Sequence, residues 1–201
     1  MVIGHRGTIN GGGYNISCVI GPGVNSGDAT VGGGYCNCAL ANNSLISGGA
    51  NNKAYCDSST IGGGQSNTVC GDKSTIAGGQ GNSISGTCSF IGGGRINISS
   101  GNDSTIGGGF CNIASGTYSV IGGGGRNCVS IGYYSVIGGG SCNTVSASTG
   151  TIGYSMIGGG KENKIFNYYS TISGGYRNTA SGSTSTIGGG YANKVYGPAS
   201  T

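Results

Sequence analysis

The residues of this chain that can do chemistry are few and scattered: nine cysteines, twelve tyrosines, one histidine and five carboxylates among 201 residues. His5 is the only imidazole, so neither a His-centred catalytic triad nor a His-rich metal site can be assembled. Cys18, Cys36, Cys38, Cys56, Cys70, Cys88, Cys111, Cys128 and Cys142 fall at several different offsets and form no ladder. The pair Cys36 and Cys38 has no second pair to complete a zinc site. Two readings stay open for the thiols. They are packed and free, or neighbours such as Cys56 with Cys70 and Cys111 with Cys128 are bridged, the odd count leaving at least one without an intramolecular partner. The glycine triplets, such as Gly62 to Gly64, are not phosphate loops, because no Gly-Lys-Ser/Thr follows them. The expectation is a protein that is not an enzyme and holds no cofactor and no metal.

A second set of residues has chemistry of another kind. Tyr118, Tyr134, Tyr154 and Tyr169 each stand three residues before an apolar anchor, which predicts an aromatic ladder along one edge. Arg95, Arg126, Lys161 and Arg177 share a different edge. The ladder reads either as a strip for sugar stacking or receptor contact, or as self-stacking that protects an edge.

What positions these residues is a repeat. Val31, Ile46, Ile61, Ile76, Ile91, Ile106 and Ile121 recur in steps of 15; after one step of 16 and one of 20 the register resumes at Ile157, Ile172 and Ile187. Six residues after each anchor stands an Asn: Asn37, Asn52, Asn67, Asn82, Asn97, Asn112, Asn127, Asn143, Asn163, Asn178 and Asn193. A Ser precedes every Ile anchor by two, and two Gly follow in every repeat. Such a chain is one supersecondary unit copied along an axis. With 49 glycines a long helix is excluded. Disorder is excluded by the columns themselves, which only stacked coils have reason to keep.

One repeat divides into Gln65 to Gly71 and Asp72 to Gly79, each half alternating with period two and closing on Gly and polar residues. The prediction is an all-β parallel roll, a β-solenoid with two short strands and two turns per coil. Alternation places Asn67, Val69 and Gly71 inside from one strand and Ser74, Ile76 and Gly78 inside from the other. Asn side chains then form a structural ladder of the kind seen in stacked strands. With one Ile and one smaller apolar group per coil the interior is thin, which favours an oligomer. Its face is expected on the rank just before the anchors, where Leu45, Phe90, Val120, Val136 and Met156 interrupt a row of Thr. The opposite strand, carrying Lys53, Thr68, Ser83, Cys128, Lys164 and Lys194, reads as solvated.

Residues 1 to 30 read as degenerate N-terminal coils or a cap, with Ile9 and Asn15, then Ile20 and Asn25, as shortened coils 11 residues apart. Residues 31 to 201 form the roll, and an insertion at about 147 to 153 is expected to bulge beside the Tyr ladder, where a partner would bind. A further anchor would fall at 202, which predicts either continuation of the chain or a stacked subunit. A net charge of +4 with 7% charged residues gives no footprint for nucleic acid. No apolar run approaches the about 20 residues a membrane helix needs, and Met1 to Arg6 opens no signal-peptide core.

Repeats such as Tyr118-Ser-Val-Ile-Gly-Gly-Gly and Asn178-Thr-Ala-Ser-Gly resemble the head repeats of trimeric autotransporter adhesins (YadA-like heads). Similar repeats occur in structural and fibre proteins of large DNA viruses and phages. The resemblance implies a left-handed roll, a homotrimer, a place on a virion surface or extracellular fibre, and attachment to a host glycan or protein; the 15-residue spacing itself admits either hand. The chain departs from the bacterial pattern in the spacing around its Ser, in its nine cysteines and in lacking a secretion signal, which favours a viral fibre. A self-stacking, purely architectural filament is the alternative. Asn67-Thr-Val-Cys-Gly71 and Asn193-Lys-Val-Tyr-Gly197 are similar to the half-coil of grass ice-recrystallisation inhibitors, which implies ice binding as a second alternative. The interrupted Thr rank counts against that.

Overall fold

The computed structural model describes residues 7–17, 28–146 and 153–197. The chain divides into two compact units, Met1–Asn97 and Ile98–Thr201. Each is an all-parallel β-solenoid, and each coil gives one very short strand to each of two sheets. We call these the Ile sheet, which carries the anchors, and the Asn sheet, whose strands follow the Asn column.

In the first unit the Ile sheet runs Gly7–Ile9, Ala29–Val31, Leu45–Ile46, Thr60–Ile61, Thr75–Ile76 and Phe90–Ile91. Its Asn sheet runs Ile16–Ser17, Cys38–Ala39, Lys53–Ala54, Thr68–Val69 and Ser83–Ile84. The second unit repeats the plan, with Thr105–Ile106, Val120–Ile121, Val136–Ile137, Met156–Ile157, Thr171–Ile172 and Thr186–Ile187 in its Ile sheet. Ile98–Ser99, Ile113–Ala114, Cys128–Ile131, Thr144–Ser146, Lys164–Ile165, Thr179–Ala180 and Lys194–Val195 make its Asn sheet.

Period-two alternation sets the first residue of each two-residue strand outward and the second inward, so Ile61, Val69, Ile76 and Ile84 have no accessible surface. Coils are joined by parallel ladders: Thr60 N–H donates to Ser74 O at 2.9 Å, Gly62 to Ile76 at 2.9 Å, Thr68 to Asn82 at 2.9 Å and Cys70 to Ile84 at 2.7 Å. One placement differs from expectation. Gly78 is half-exposed with open space around it, whereas Ser74 and Ile76 are buried, because the chain already turns outward after the anchor.

The buried Asn column explains the second obligatory Gly. Asn67 donates from Nδ2 to Gly63 O at 3.0 Å and to Gly79 O at 2.9 Å, while its Oδ1 accepts the N–H of Asn82 at 2.9 Å. Its own N–H donates to Oδ1 of Asn52 at 3.0 Å. A polar side chain of this size is tolerated in the interior because every donor and acceptor finds a partner. Gly64 makes room for this: its φ is +87°, and a Cβ there would stand 2.1 Å from Gly79 O and 2.9 Å from Asn67 Nδ2. Gly and Asn are thus one device, the amide filling the volume a side chain would have taken. The pattern runs from Asn37 to Asn178, all fully buried, while Asn193 is exposed and still bonds to Asn178 Oδ1.

The irregular steps have local causes. The step of 16 is absorbed in strand Cys128–Ile131, where the register shifts between Val129 and Ile131 as in a β-bulge. At the N-terminus, Gly7 pairs directly with Ala29 and Asn37 N–H donates to Asn15 Oδ1 at 3.0 Å. Paired positions there are 22 residues apart, and the expected second short coil, with Ile20 and Asn25, lies outside the described residues. Outside them too are His5, Cys18 and residues 147–152 of the insertion. Among the described residues no helix is long and apolar enough to cross a membrane.

Candidate functional site

From Cys36 to Thr184 each coil makes two left-handed turns, one on the residue before its Asn and one on the residue before its Ser. The second rank reads Asn43, Ser58, Lys73 and Cys88 in the first unit, with φ between 55° and 56°. In the second unit it reads Asp103, Tyr118, Tyr134, Tyr154, Tyr169 and Thr184, all with positive φ. This conformation suits Gly and Asn and costs a bulky residue on the order of 1 kcal/mol. Four tyrosines in succession at such a position mean that the rings return something the backbone does not.

What they return is stacking. Tyr118 and Tyr134 have ring centroids 4.7 Å apart and planes 2° from parallel; Tyr134 and Tyr154 stand at 4.9 Å and 6°, and Tyr154 and Tyr169 at 5.5 Å and 9°. Coil spacing dictates this, since equivalent positions recur at about 4.8 Å. The faces of Tyr134 and Tyr154 are covered by their neighbours, so the ladder offers outward its ring edges and hydroxyls. Tyr133 tilts against Tyr134 at 6.5 Å and Tyr168 meets Tyr169 edge-on at 5.6 Å, both additions that the column alone did not reveal. Gly153, where the insertion rejoins the coil, accepts the N–H of Tyr169, and Tyr154 N–H donates to Tyr133 O.

Two residues beyond the ladder in sequence lies the outward rank of the Ile sheet. Val120, Val136 and Met156 are consecutive partners there, with Val120 37% and Met156 44% exposed. In the first unit Leu45 lies between Thr30 and Thr60, and Phe90 next to Thr75, so both are isolated among threonines. The second unit therefore carries a contiguous apolar strip and the first does not.

The Asn sheet is less uniformly polar than its Lys, Thr and Ser residues suggest. Ile98 and Ile113 pair on its outward side and are exposed, as are Ile16 in the first unit and Ile96 in a left-handed turn with φ 56°. Further along the second unit an open groove of about 510 Å³ is lined by Arg126, Cys142, Thr144, Glu162, Lys164, Arg177 and Thr179. Arg177 Nε donates to Glu162 Oε2 at 2.7 Å, and Lys161 Nζ lies 3.7 Å from Glu162 Oε1. That bond, with the charges of Arg177 and Lys161, holds the Glu162 carboxyl below its ordinary range, and the same bond with the charge of Glu162 raises Arg177.

The cysteines are free thiols from Cys36 to Cys142. Cys56 and Cys70 are neighbours without a bond between them, Cys56 Sγ donating to the Cys70 carbonyl. Burial, then Asp72, Cys70 and Asp57, push the Cys56 thiol up, which keeps it protonated and slow to react. Cys111 occupies a left-handed turn and Cys128 an outward strand position, where burial raises its thiol. Among the described residues no group of three or more His, Cys, Asp or Glu side chains is placed to hold a metal ion. Neither the protein-family models nor the curated proteins contain a match to this chain.

Proposed function

We propose that this chain is a non-enzymatic structural segment of a virion- or cell-surface fibre, which associates with further copies of itself through the outward Ile-sheet face of the second unit. The observation that carries this reading is the contiguous outward apolar strip Val120, Val136 and Met156, exposed at Val120 and Met156 and half-buried at Val136, with the Tyr118, Tyr134 and Tyr154 ladder at the adjoining turn. Contiguous exposed apolar surface beside aromatic residues is what association sites offer and what isolated surface residues do not. The interior supports the same reading, since its polar groups are largely spent on joining coil to coil. Attachment to a host surface is the task implied by the resemblance to adhesin and viral-fibre repeats.

Native mass analysis of the full chain tests the reading. A single closed species, a trimer on the adhesin resemblance, is expected, and Val136→Lys with Met156→Lys returns it to monomer without loss of β signal. Open-ended polymers that grow with concentration support the architectural filament instead. A wild-type chain that stays monomeric at high micromolar concentration overturns the association face.

A further inference from the structure

The charge of this protein is not spread evenly. From Arg126 to Gly197 five cations, Arg126, Lys161, Lys164, Arg177 and Lys194, face a single carboxylate, Glu162. The described part of the first unit balances Lys53, Lys73 and Arg95 against Asp28, Asp57 and Asp72. The excess gathers where the Asn sheet of the second unit forms its groove.

That groove is built from two ranks in register. Arg126, Cys142, Glu162 and Arg177 hold the left-handed turns, with φ between 57° and 60°. Thr144, Lys164, Thr179 and Lys194 follow on the outward strand positions as successive partners. Lys164 and Lys194 are thus two strand spacings apart, about 10 Å. Cations repeating along an axis, with threonine hydroxyls between them, match a polymer that repeats its own charge and hydroxyl groups.

The cationic heads are held in place, Arg177 in part by its bond to Glu162. The Arg177 guanidinium lies 4.8 Å from the Tyr176 ring centroid, and that of Arg126 lies 5.9 Å from the Phe110 ring. Stacking orients a guanidinium while leaving its in-plane N–H donors free to take an anion bidentately. Among the described residues, neither Arg126 nor Lys164 is within ion-pair distance of a carboxylate. We propose that this groove binds an anionic polysaccharide, with Arg126, Lys164 and Arg177 taking its sulfate or carboxylate groups and Thr144 and Thr179 its hydroxyls. A single-stranded nucleic acid fits less well, because it needs open aromatic faces for its bases. The Tyr176 ring has Arg177 against it and Lys161 5.5 Å from its centroid.

The test is calorimetric titration of the full chain with heparin and with polygalacturonate at low ionic strength. Binding of either polymer, weakening as salt rises, is expected, and neutral dextran should not bind. Arg126→Gln and Lys164→Gln should each weaken binding about fivefold, and Glu162→Gln should strengthen it, as suits solvent-exposed ion pairs. Lys53→Gln with Lys73→Gln, in the first unit, should leave it unchanged, and circular dichroism reports whether each variant keeps its fold. The proposal is overturned if neither polymer binds, if the first-unit pair weakens binding as much as Arg126→Gln with Lys164→Gln, or if a DNA oligonucleotide binds more tightly than both polysaccharides. The groove and the association strip lie on different sheets, so a failure of one is distinguishable from a failure of the other.

Discussion

The two units share an interior and differ in what they turn outward. Asn67 in the first and Asn163 in the second make the same bonds, to Gly63 and Gly79 in one case and to Gly159 and Gly175 in the other. Ile61 and Ile137 are equally buried. At the turn before the Ser, by contrast, the first unit has Asn43, Ser58, Lys73 and Cys88, and the second has a run of four stacked tyrosines. The outward rank of the Ile sheet is mostly threonine in the first and apolar at three successive positions in the second. The difference teaches that the repeat secures the fold in both units, and that what distinguishes them functionally is confined to positions the repeat leaves open.

If the interiors are equivalent, the largest effects should be the same in both units. Asn67→Ala and Asn163→Ala each remove a side chain that serves two carbonyls and one backbone N–H, Asn163 accepting also from Asn178 Nδ2 at 3.1 Å, and each should cost about 3 to 5 kcal/mol in denaturant unfolding. Unequal losses would break the comparison at its base.

The Ser column sharpens it within a single residue type. Ser74 donates to Gly86 O at 2.9 Å and accepts the N–H of Ser89 at 2.9 Å, so Ser74→Ala should cost about 1 to 2 kcal/mol. Ser59, Ser119 and Ser135 have buried hydroxyls without a partner among the described residues, so Ser119→Ala should be neutral or stabilising by up to about 1 kcal/mol in the same assay.

At the turns the units should diverge. Tyr134→Asn loses two stacked contacts but relieves its left-handed backbone, for a net loss of about 1 kcal/mol. Ser58→Asn, at the matching turn of the first unit, loses no ring and should gain a few tenths of a kcal/mol. The smallest effect concerns pH. Glu162 titrates below its ordinary value of about 4.3, so its contribution is present above that value and fades as pH falls through the lower, folded value. Glu162→Gln should remove that small contribution near neutrality, flatten the stability profile in that acid window and match the wild type below it, which acid titration of unfolding would register.

Much of this was legible in the chain. A 15-residue period with fixed Ser, Ile, Gly and Asn columns leaves stacked coils as the economical solution, and the inward sets centred on Val69 and Ile76 follow from alternation. The direct pairing of Gly7 with Ala29, 22 residues on, was not legible, because the sequence offers Ile20 and Asn25 as an anchor and its Asn at half that distance. Nor were the left-handed turns: Tyr118, Ile96 and Arg126 hold a conformation that their types do not announce, and the coil's closure imposes it. The Tyr column could be read, but its orientation could not, and it is the orientation that covers the ring faces. The edge shared by Arg126, Lys161 and Arg177 could be read, but its meeting with Lys164 in one groove could not, because the two ranks come together only after the steps of 16 and 20 are brought into register.

The central claim is that the outward Ile-sheet face of the second unit, and not that of the first, joins copies of the chain. Hydroxyl-radical footprinting of the full chain, dilute and then concentrated, reads this residue by residue. The account predicts that Met156, Val136 and the edges of Tyr118 and Tyr134 become protected on concentration while Leu45 and Phe90 label as before. Equal protection of Leu45 and Phe90, or no protection of Met156 at a concentration where the mass has risen, would contradict it.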